Sequence, residues 1–281
     1  MDSRLIKANY YRSEQLNLIS NIKLKNGTLT KIYLTSTRYF YLFTNNINND
    51  TNNTINNIPI KNNLLVYYHG SRDIALDCAL NSTDLINNFG NESWHIVFGQ
   101  CSGVIEQPYI HENYNHVAYG EIYWKINQIE NLTDDIDYTK QLIEYMDTNY
   151  KINKKVFIGH SNGGVFGMLL PIYFSKKPNF FDIIVSHQGG LGFDPYFRLD
   201  FHLLHETEIL NGELLPLWSD LKPKILLYTG EHDIHKSVCE QAYNIFNNEN
   251  YYVKIIIVKD LKHSYKKECE ITIKKWINDN L

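Results

Sequence analysis

Six short apolar runs recur along the chain, and most are cut off by a glycine-containing turn. They are Leu64-Leu65-Val66-Tyr67-Tyr68 before His69-Gly70-Ser71, Trp94-His95-Ile96-Val97-Phe98 before Gly99, Val156-Phe157-Ile158 before Gly159-His160-Ser161, Asp182-Ile183-Ile184-Val185-Ser186 before Gly189-Gly190, Ile225-Leu226-Leu227-Tyr228 before Gly230, and finally Val253 to Val258. Runs of this length without polar alternation suit strands covered on both faces, as in a parallel sheet. Helical patterns fall between them. Asp135 to Tyr150 carries Ile136, Leu142, Ile143, Tyr145 and Met146; Val165 to Phe174 is strongly apolar; Ser237 to Phe246 and Tyr265 to Trp276 are amphipathic. Strands that alternate with helices predict an α/β protein with a mostly parallel central sheet and helices on both faces. Ahead of this region, residues 20–44 read as N-terminal strands, rich in β-branched and aromatic residues around Thr30 to Leu34 and Arg38 to Phe43. Residues 45–63 are Asn-rich and read as a loop. The stretches 99–133 and 188–222 are long for connections and are expected to fold over the sheet as a small cap. No internal repeat is visible, so the 281 residues are expected to form one domain.

Charge and cysteine content exclude several classes. The formal net charge is −4, and no basic stripe stands out to neutralise phosphates, so no nucleic-acid partner is expected. The first residues, Met1 to Lys7, are polar and lack the apolar core of a signal peptide. No run approaches the roughly 18 apolar residues of a membrane span. A cytoplasmic protein without a membrane partner is the expectation. Cys78, Cys101, Cys239 and Cys269 show neither CxxC nor metal-ligand spacing, so free thiols and no metal are expected. Asn, Ile, Lys and Tyr are abundant while Ala and Pro are scarce. That bias reflects an AT-rich coding sequence, as in a parasite, an AT-rich bacterium or a large DNA virus, and carries no functional information.

The chemistry-bearing motif is Gly159-His160-Ser161-Asn162-Gly163, a G-x-S-x-G pentapeptide between a buried strand and an apolar helix. That context makes a nucleophile elbow: a sharp strand-to-helix turn with the serine at its apex and glycines where strand and helix come close. The helix N-terminus beneath it favours developing negative charge. In such folds the order is nucleophile, acid, base. Asp233, at the end of the 225–228 strand, is the first choice of acid and Glu231 the second; the competing role for Asp233 is a cap on the helix that begins near Ser237. His263, after the last strand, is the expected base, and His232, His235 and His160 are rivals by residue type only. For the oxyanion hole, one backbone N–H is expected from Asn162 and one from the loop after the first core strand, from Ser71 or Gly70. His69 is read first as a histidine bonded within its loop. With Tyr119, Trp124 and His160 it is also a candidate to line the substrate site. Tyr119, Trp124 and the other cap aromatics, among them Tyr109, Tyr114, Tyr123, Phe193, Tyr196, Phe197 and Trp218, either line an acyl or aryl pocket or simply pack the cap onto the sheet.

With these residues in place the chain, over residues 64–281, resembles the α/β-hydrolase superfamily. Three segments are similar to the polyhydroxybutyrate-depolymerase and feruloyl-esterase-like group: the elbow Gly159 to Gly164, the paired Asp134-Asp135 opening the helix before the elbow strand, and His263-Ser264-Tyr265 around the base. The sequence departs from that group where Ser71-Arg72-Asp73 replaces a glycine-rich stretch and where Ile234-His235-Lys236 follows the acid. The resemblance implies a serine esterase. Its Ser161 attacks an ester carbonyl while His263, oriented by Asp233, takes the proton, and water then cleaves the acyl-enzyme. No cofactor is required for this, and the partner is a small-molecule ester. An acyltransferase, a thioesterase or peptidase on the same machinery, and a non-catalytic ligand-binding protein remain the alternatives.

Overall fold

The computed structural model describes residues 21–45, 62–71, 73–90, 93–104, 109–110, 117–118, 122–124, 129–173, 180–191 and 222–281. Nine strands form one sheet. In chain order they are β1 (Asn21–Leu24), β2 (Gly27–Tyr33), β3 (Tyr39–Asn45), β4 (Asn62–Tyr68), β5 (Trp94–Gly99), β10 (Ile152–His160), β11 (Ile183–His187), β12 (Lys224–His232) and β13 (Val253–Lys262). Their order across the sheet is β1-β2-β3-β5-β4-β10-β11-β12-β13. The pairs from β5 to β13 are parallel and those from β1 to β5 antiparallel. Between β5 and β10 lie two two-stranded ribbons, β6 (Gly103–Val104) with β9 (Ile122–Tyr123), and β7 (Tyr109–Ile110) with β8 (Val117–Ala118). The helices are α1 (Ala75–Asp77), which runs into a π-turn over Cys78–Ser82, α2 (Leu85–Phe89), α3 (Ile129–Asn149), α4 (Asn162–Tyr173), α5 (Lys236–Asn248) and α6 (Lys267–Asn280).

Strand periodicity accounts for the two-sided core. Successive side chains of a strand point to opposite faces. Accordingly Leu64, Val66 and Tyr68 of β4 and Phe157 of β10 join one cluster, with Leu142, Met146, Val165, Phe166, Ala242 and Phe246 from α3, α4 and α5. Leu65, Tyr67, Val156 and Ile158 join the other, with Phe89, Ile273, Trp276 and Ile277 from α2 and α6. Covered on both faces, β4 and β10 have no need of polar alternation. In α5 the buried residues Cys239, Ala242 and Phe246 recur at helical spacing, which gives that helix one core-facing stripe.

The antiparallel edge is more divided than the composition of residues 20–44 suggested. β1 and β2 meet in a tight hairpin, with Leu24 opposite Gly27. The break between β2 and β3 is made by Thr35, whose Oγ1 accepts the N–H groups of Thr37 and Arg38 (3.3 and 3.0 Å). Of the Asn-rich stretch, 46–61 lies outside the described residues, while Asn45 ends β3 and Asn62 and Asn63 begin β4. The helix before the elbow strand opens at Ile129 rather than at the paired aspartates. Residues 129–133 contain neither Gly nor Pro, so nothing in them stops the helix from extending upstream. Asp135 consequently sits inside α3, buried, where it accepts from Arg38 Nη2 (2.6 Å) and from the Ser102 N–H (3.3 Å). It ties the β2–β3 turn to the start of the cap ribbons. No helix among the described residues is long and apolar enough to cross a membrane.

Candidate active site

The sheet order reverses direction at β4 and β10. The chain leaves β4 towards β5 on one side, and leaves β10 towards β11 on the other. A crevice opens at the carboxyl ends of two such strands, where ligands bind in open α/β sheets. The residues at those ends are His69-Gly70-Ser71 and His160-Ser161.

Ser161 sits at the apex of the β10–α4 turn with φ of +51°, a strained value for a residue with a Cβ. The turn is held by Ser161 N–H donating to His187 O (2.8 Å) and Val165 N–H donating to Ser161 O (2.9 Å). Two glycines permit it. A Cβ on Gly159 would lie 2.1 Å from Gly163 O, and one on Gly163 would lie 2.4 Å from Tyr68 O. Strand, helix and the neighbouring β4 therefore approach at backbone distance.

Ser161 Oγ lies 3.0 Å from His263 Nε2, and His263 Nδ1 lies 2.9 Å from Asp233 Oδ1. Because a carboxylate only accepts, Nδ1 carries the proton and Nε2 is free to accept from the serine. Asp233 Oδ1 also accepts the N–H of His235 (2.8 Å). Burial opposes ionisation of Asp233, but the bonds from His263 and His235 outweigh it and hold the carboxyl below the ordinary range. The rival residues are placed differently. Glu231 is exposed and accepts the Asp260 N–H (3.2 Å). His232 is exposed and lies 3.7 Å from Asp260. His235 is buried, its ring 4.7 Å from that of His263. Burial, followed by the field of His263, pushes both His160 and His235 down to about 4. The helix-cap role for Asp233 is met only in part, through the His235 N–H just ahead of α5.

On the β4 side, a Cβ on Gly70 would lie 3.3 Å from Ser161 Cβ and 3.1 Å from His160 Nδ1, so this loop rests against the elbow. His69 Nδ1 donates to Gly70 O (2.8 Å), and Gln100 Nε2 donates to His69 Nε2 (3.4 Å). Gln100 Oε1 in turn accepts the Ala75 N–H (2.9 Å). His69 is thus bonded within its loop. The N–H of Ser71 belongs to the same planar peptide as Gly70 O and points the opposite way.

Trp124, a candidate pocket wall from the sequence, is completely buried and stacks on Tyr68 at 3.7 Å with an interplanar angle of 1°. Its indole Nε1 donates to His69 O (2.9 Å), and its backbone exchanges two bonds with the side chain of Asn162, which accepts from the Trp124 N–H and donates to the Trp124 carbonyl. It is a support beneath the site, not a surface open to substrate. Its polar N–H is satisfied there by the strand-end carbonyl of His69. Trp124→Phe keeps the stacked ring and removes that bond, and is expected to lower stability by about 1–2 kcal/mol in chemical denaturation. Tyr119, and the aromatics of 192–221, lie outside the described residues.

The sequence offered no sign of Gln188. It follows β11, is fully buried with φ of +57°, and its amide spans Lys262 O (2.8 Å) and His160 Nε2 (3.3 Å). Tyr265 was visible as part of the His-Ser-Tyr segment and at the start of the last helical pattern, with no role of its own. Its ring packs on His160 (5.0 Å) and His187 (5.2 Å), and its hydroxyl donates to Glu270. Among the described residues, Glu231, His232 and Asp260 each bring one ligating atom within 4.8 Å of the others, all three being exposed.

The sheet order and the strand-to-helix elbow define the α/β-hydrolase fold. The chain is similar over 90% of its length to the fluorophosphonate-binding serine hydrolase F of Staphylococcus aureus (98% of that chain, TM-score 0.59, 12% identity). It is similar over 94% of its length to an S-formylglutathione hydrolase of Agrobacterium tumefaciens (99% of that chain, TM-score 0.59, 11% identity). SOBER1 of Arabidopsis thaliana aligns over 78% of this chain and 99% of its own (TM-score 0.55, 13% identity). In sequence, a protein of Acanthamoeba polyphaga mimivirus described as an uncharacterized hydrolase is 28% identical over 223 residues, 74% of this chain and 67% of the viral one. No protein-family model matches the chain.

Proposed function

We propose that the protein is a serine hydrolase acting on carboxylic esters, with Ser161 as nucleophile, His263 as base and Asp233 as the acid that orients it. The carrying observation is the continuous chain from Ser161 Oγ through His263 to Asp233, with bonds of 3.0 and 2.9 Å, at a strained strand-to-helix apex. As Ser161 attacks the ester carbonyl, its proton passes to His263 Nε2, and the ionised Asp233 stabilises the imidazolium. The carbonyl electrons move onto oxygen. The N–H of Asn162 supports that oxyanion, since the first helical N–H groups lack intrahelical partners. The Ser71 N–H is the second donor, and Gly70 leaves room for the approach. His263 returns the proton to the leaving alcohol, then activates a water that cleaves the acyl-enzyme. The substrate is a small ester, and thioesters are within reach of the same groups. The four cysteines, all buried and none in a disulfide, suit a reducing, cytoplasmic setting.

Labelling with a fluorophosphonate probe tests the reading. Wild type is expected to label covalently and to hydrolyse p-nitrophenyl acetate, and Ser161→Ala to do neither, with kcat lower by about 10⁶-fold. A p-nitrophenyl series of rising acyl length then sizes the pocket. Folded wild type that neither labels nor turns over any ester would leave a binding protein on a hydrolase fold.

A further inference from the structure

Gln188 stands where β11 leaves the sheet. Its left-handed backbone is one that glycine adopts without strain, and Gly189 and Gly190 follow it directly. The turn alone therefore does not call for glutamine; its side-chain bonds offset the strain. Its backbone N–H donates to Tyr228 O on the adjacent β12 (2.7 Å), which fixes where the side chain starts.

The amide orientation follows from its partners. Lys262 O can only accept, so the NH₂ group faces it at 2.8 Å. Oε1 then faces His160 Nε2 at 3.3 Å, and that nitrogen must carry the proton. A neutral imidazole has one N–H, so His160 Nδ1 is bare, on the side where Gly70 rests. The two anchored groups are immediate neighbours of the reacting ones. Lys262 O belongs to the peptide that leads into His263, and His160 precedes Ser161. The rings of His160 and His263 lie nearly parallel (17°) at 6.0 Å.

We propose that Gln188 is a positioning residue that clamps the peptide before His263 to the histidine before Ser161, and so sets the separation of base and nucleophile. Ser161 Oγ and His263 belong to segments 102 positions apart in sequence, and Gln188 is a third segment bonded to both. This inference rests on the serine-hydrolase reading.

Gln188→Met retains length and burial and removes both bonds; Gln188→Glu is isosteric and sets a carboxylate against the Lys262 carbonyl. With p-nitrophenyl butyrate, both variants are expected to lose about 10–100-fold in kcat with KM within about twofold, the size of effect that a slight misplacement of reacting groups produces. The rate of fluorophosphonate labelling should fall in parallel. The acid limb of kcat/KM should move up in Gln188→Glu, whose negative charge favours protonated His263, and stay put in Gln188→Met. Proton NMR supplies a readout free of turnover: the downfield signal of the His263–Asp233 hydrogen bond should be sharp in wild type and broadened or lost in both variants. If one variant fails to fold, the other carries the comparison. Folded Gln188→Met with wild-type kcat, labelling rate and downfield signal would overturn the proposal. Wild type without labelling or turnover would instead sink the hydrolase reading, while a downfield signal that still depended on Gln188 would leave the clamp standing.

Discussion

Asp233→Asn is expected to lower kcat by about 10⁴-fold, the loss seen when a triad acid becomes an amide, while the protein stays folded. Oδ1 of Asp233 accepts from both His263 Nδ1 and the His235 N–H, so the amide has two ways to sit, and each fails. With its oxygen in that place, the tautomer of His263 survives but the imidazolium faces a neutral dipole instead of a charge. With its NH₂ there, it opposes the His235 N–H and forces the His263 proton onto Nε2, which can then no longer accept from Ser161. Turnover of p-nitrophenyl acetate and circular dichroism of the same preparation check this. A folded variant within tenfold of wild type would remove Asp233 from the triad. Glu231→Gln, at an exposed carboxylate bonded to the Asp260 N–H, is the comparison that would then take its place.

The second large effect concerns acid. His95, His160 and His235 are buried, and burial is the main cause that pushes each down to about 4; His187 is lowered well below its ordinary value for the same reason. In each case the folded pKa lies below the unfolded value of 6.5. Between the two, the unfolded chain holds more protons, so this stability is complete above about pH 6.5 and is lost as the pH falls towards about 4. Each of the three histidines held near 4 is worth on the order of 2–3 kcal/mol over that interval. Glu270 works the other way. Burial raises it to about 7, so its contribution is complete below about 4.5 and is lost as the pH rises through about 7, offsetting about one histidine. The net expectation is a fall on the order of 5 kcal/mol in unfolding free energy between pH 7.5 and 4.5, a large share of the 5–15 kcal/mol typical of a domain. Urea denaturation at the two pH values measures it, and a pH-independent midpoint would contradict the burial argument.

What could be read from the sequence was local. The stretch from Val156 through the helix after Ser161 carries its own instruction, since an apolar run, the glycines on either side of the serine and an apolar helix specify a strand, a turn and a buried helix. The acid and base candidates followed from chain order and from their positions after strands. Contacts between distant segments leave no such pattern. Arg38 meets Asp135 across 97 positions, and the aspartate pair therefore reads as a helix start when Asp135 is a buried anchor inside a longer helix. Trp124 looked like a pocket wall because aromatic content says nothing of which face is covered. Gln188 is a single polar residue between a strand and two glycines, and only its two bonded partners distinguish it from an ordinary turn residue.

The pairing of β12 with β13 bears on how the chain can change in length. Gly230 is opposite Val258, yet His232 is opposite Lys262, so β13 carries two residues more than its partner just before the histidine loop. Asp260, within that excess, has φ of +58°. Removing two residues would preserve the alternation of faces and leave the strand able to pair. It would also remove the left-handed residue and the slack that bends the strand into the His263 turn, since residues looped out of a ladder redirect a strand rather than lengthen it. A deletion that looks silent by strand parity would thus re-aim the segment that brings His263 to 3.0 Å from Ser161, which makes this short excess far less tolerant of length variation than an ordinary surface connection.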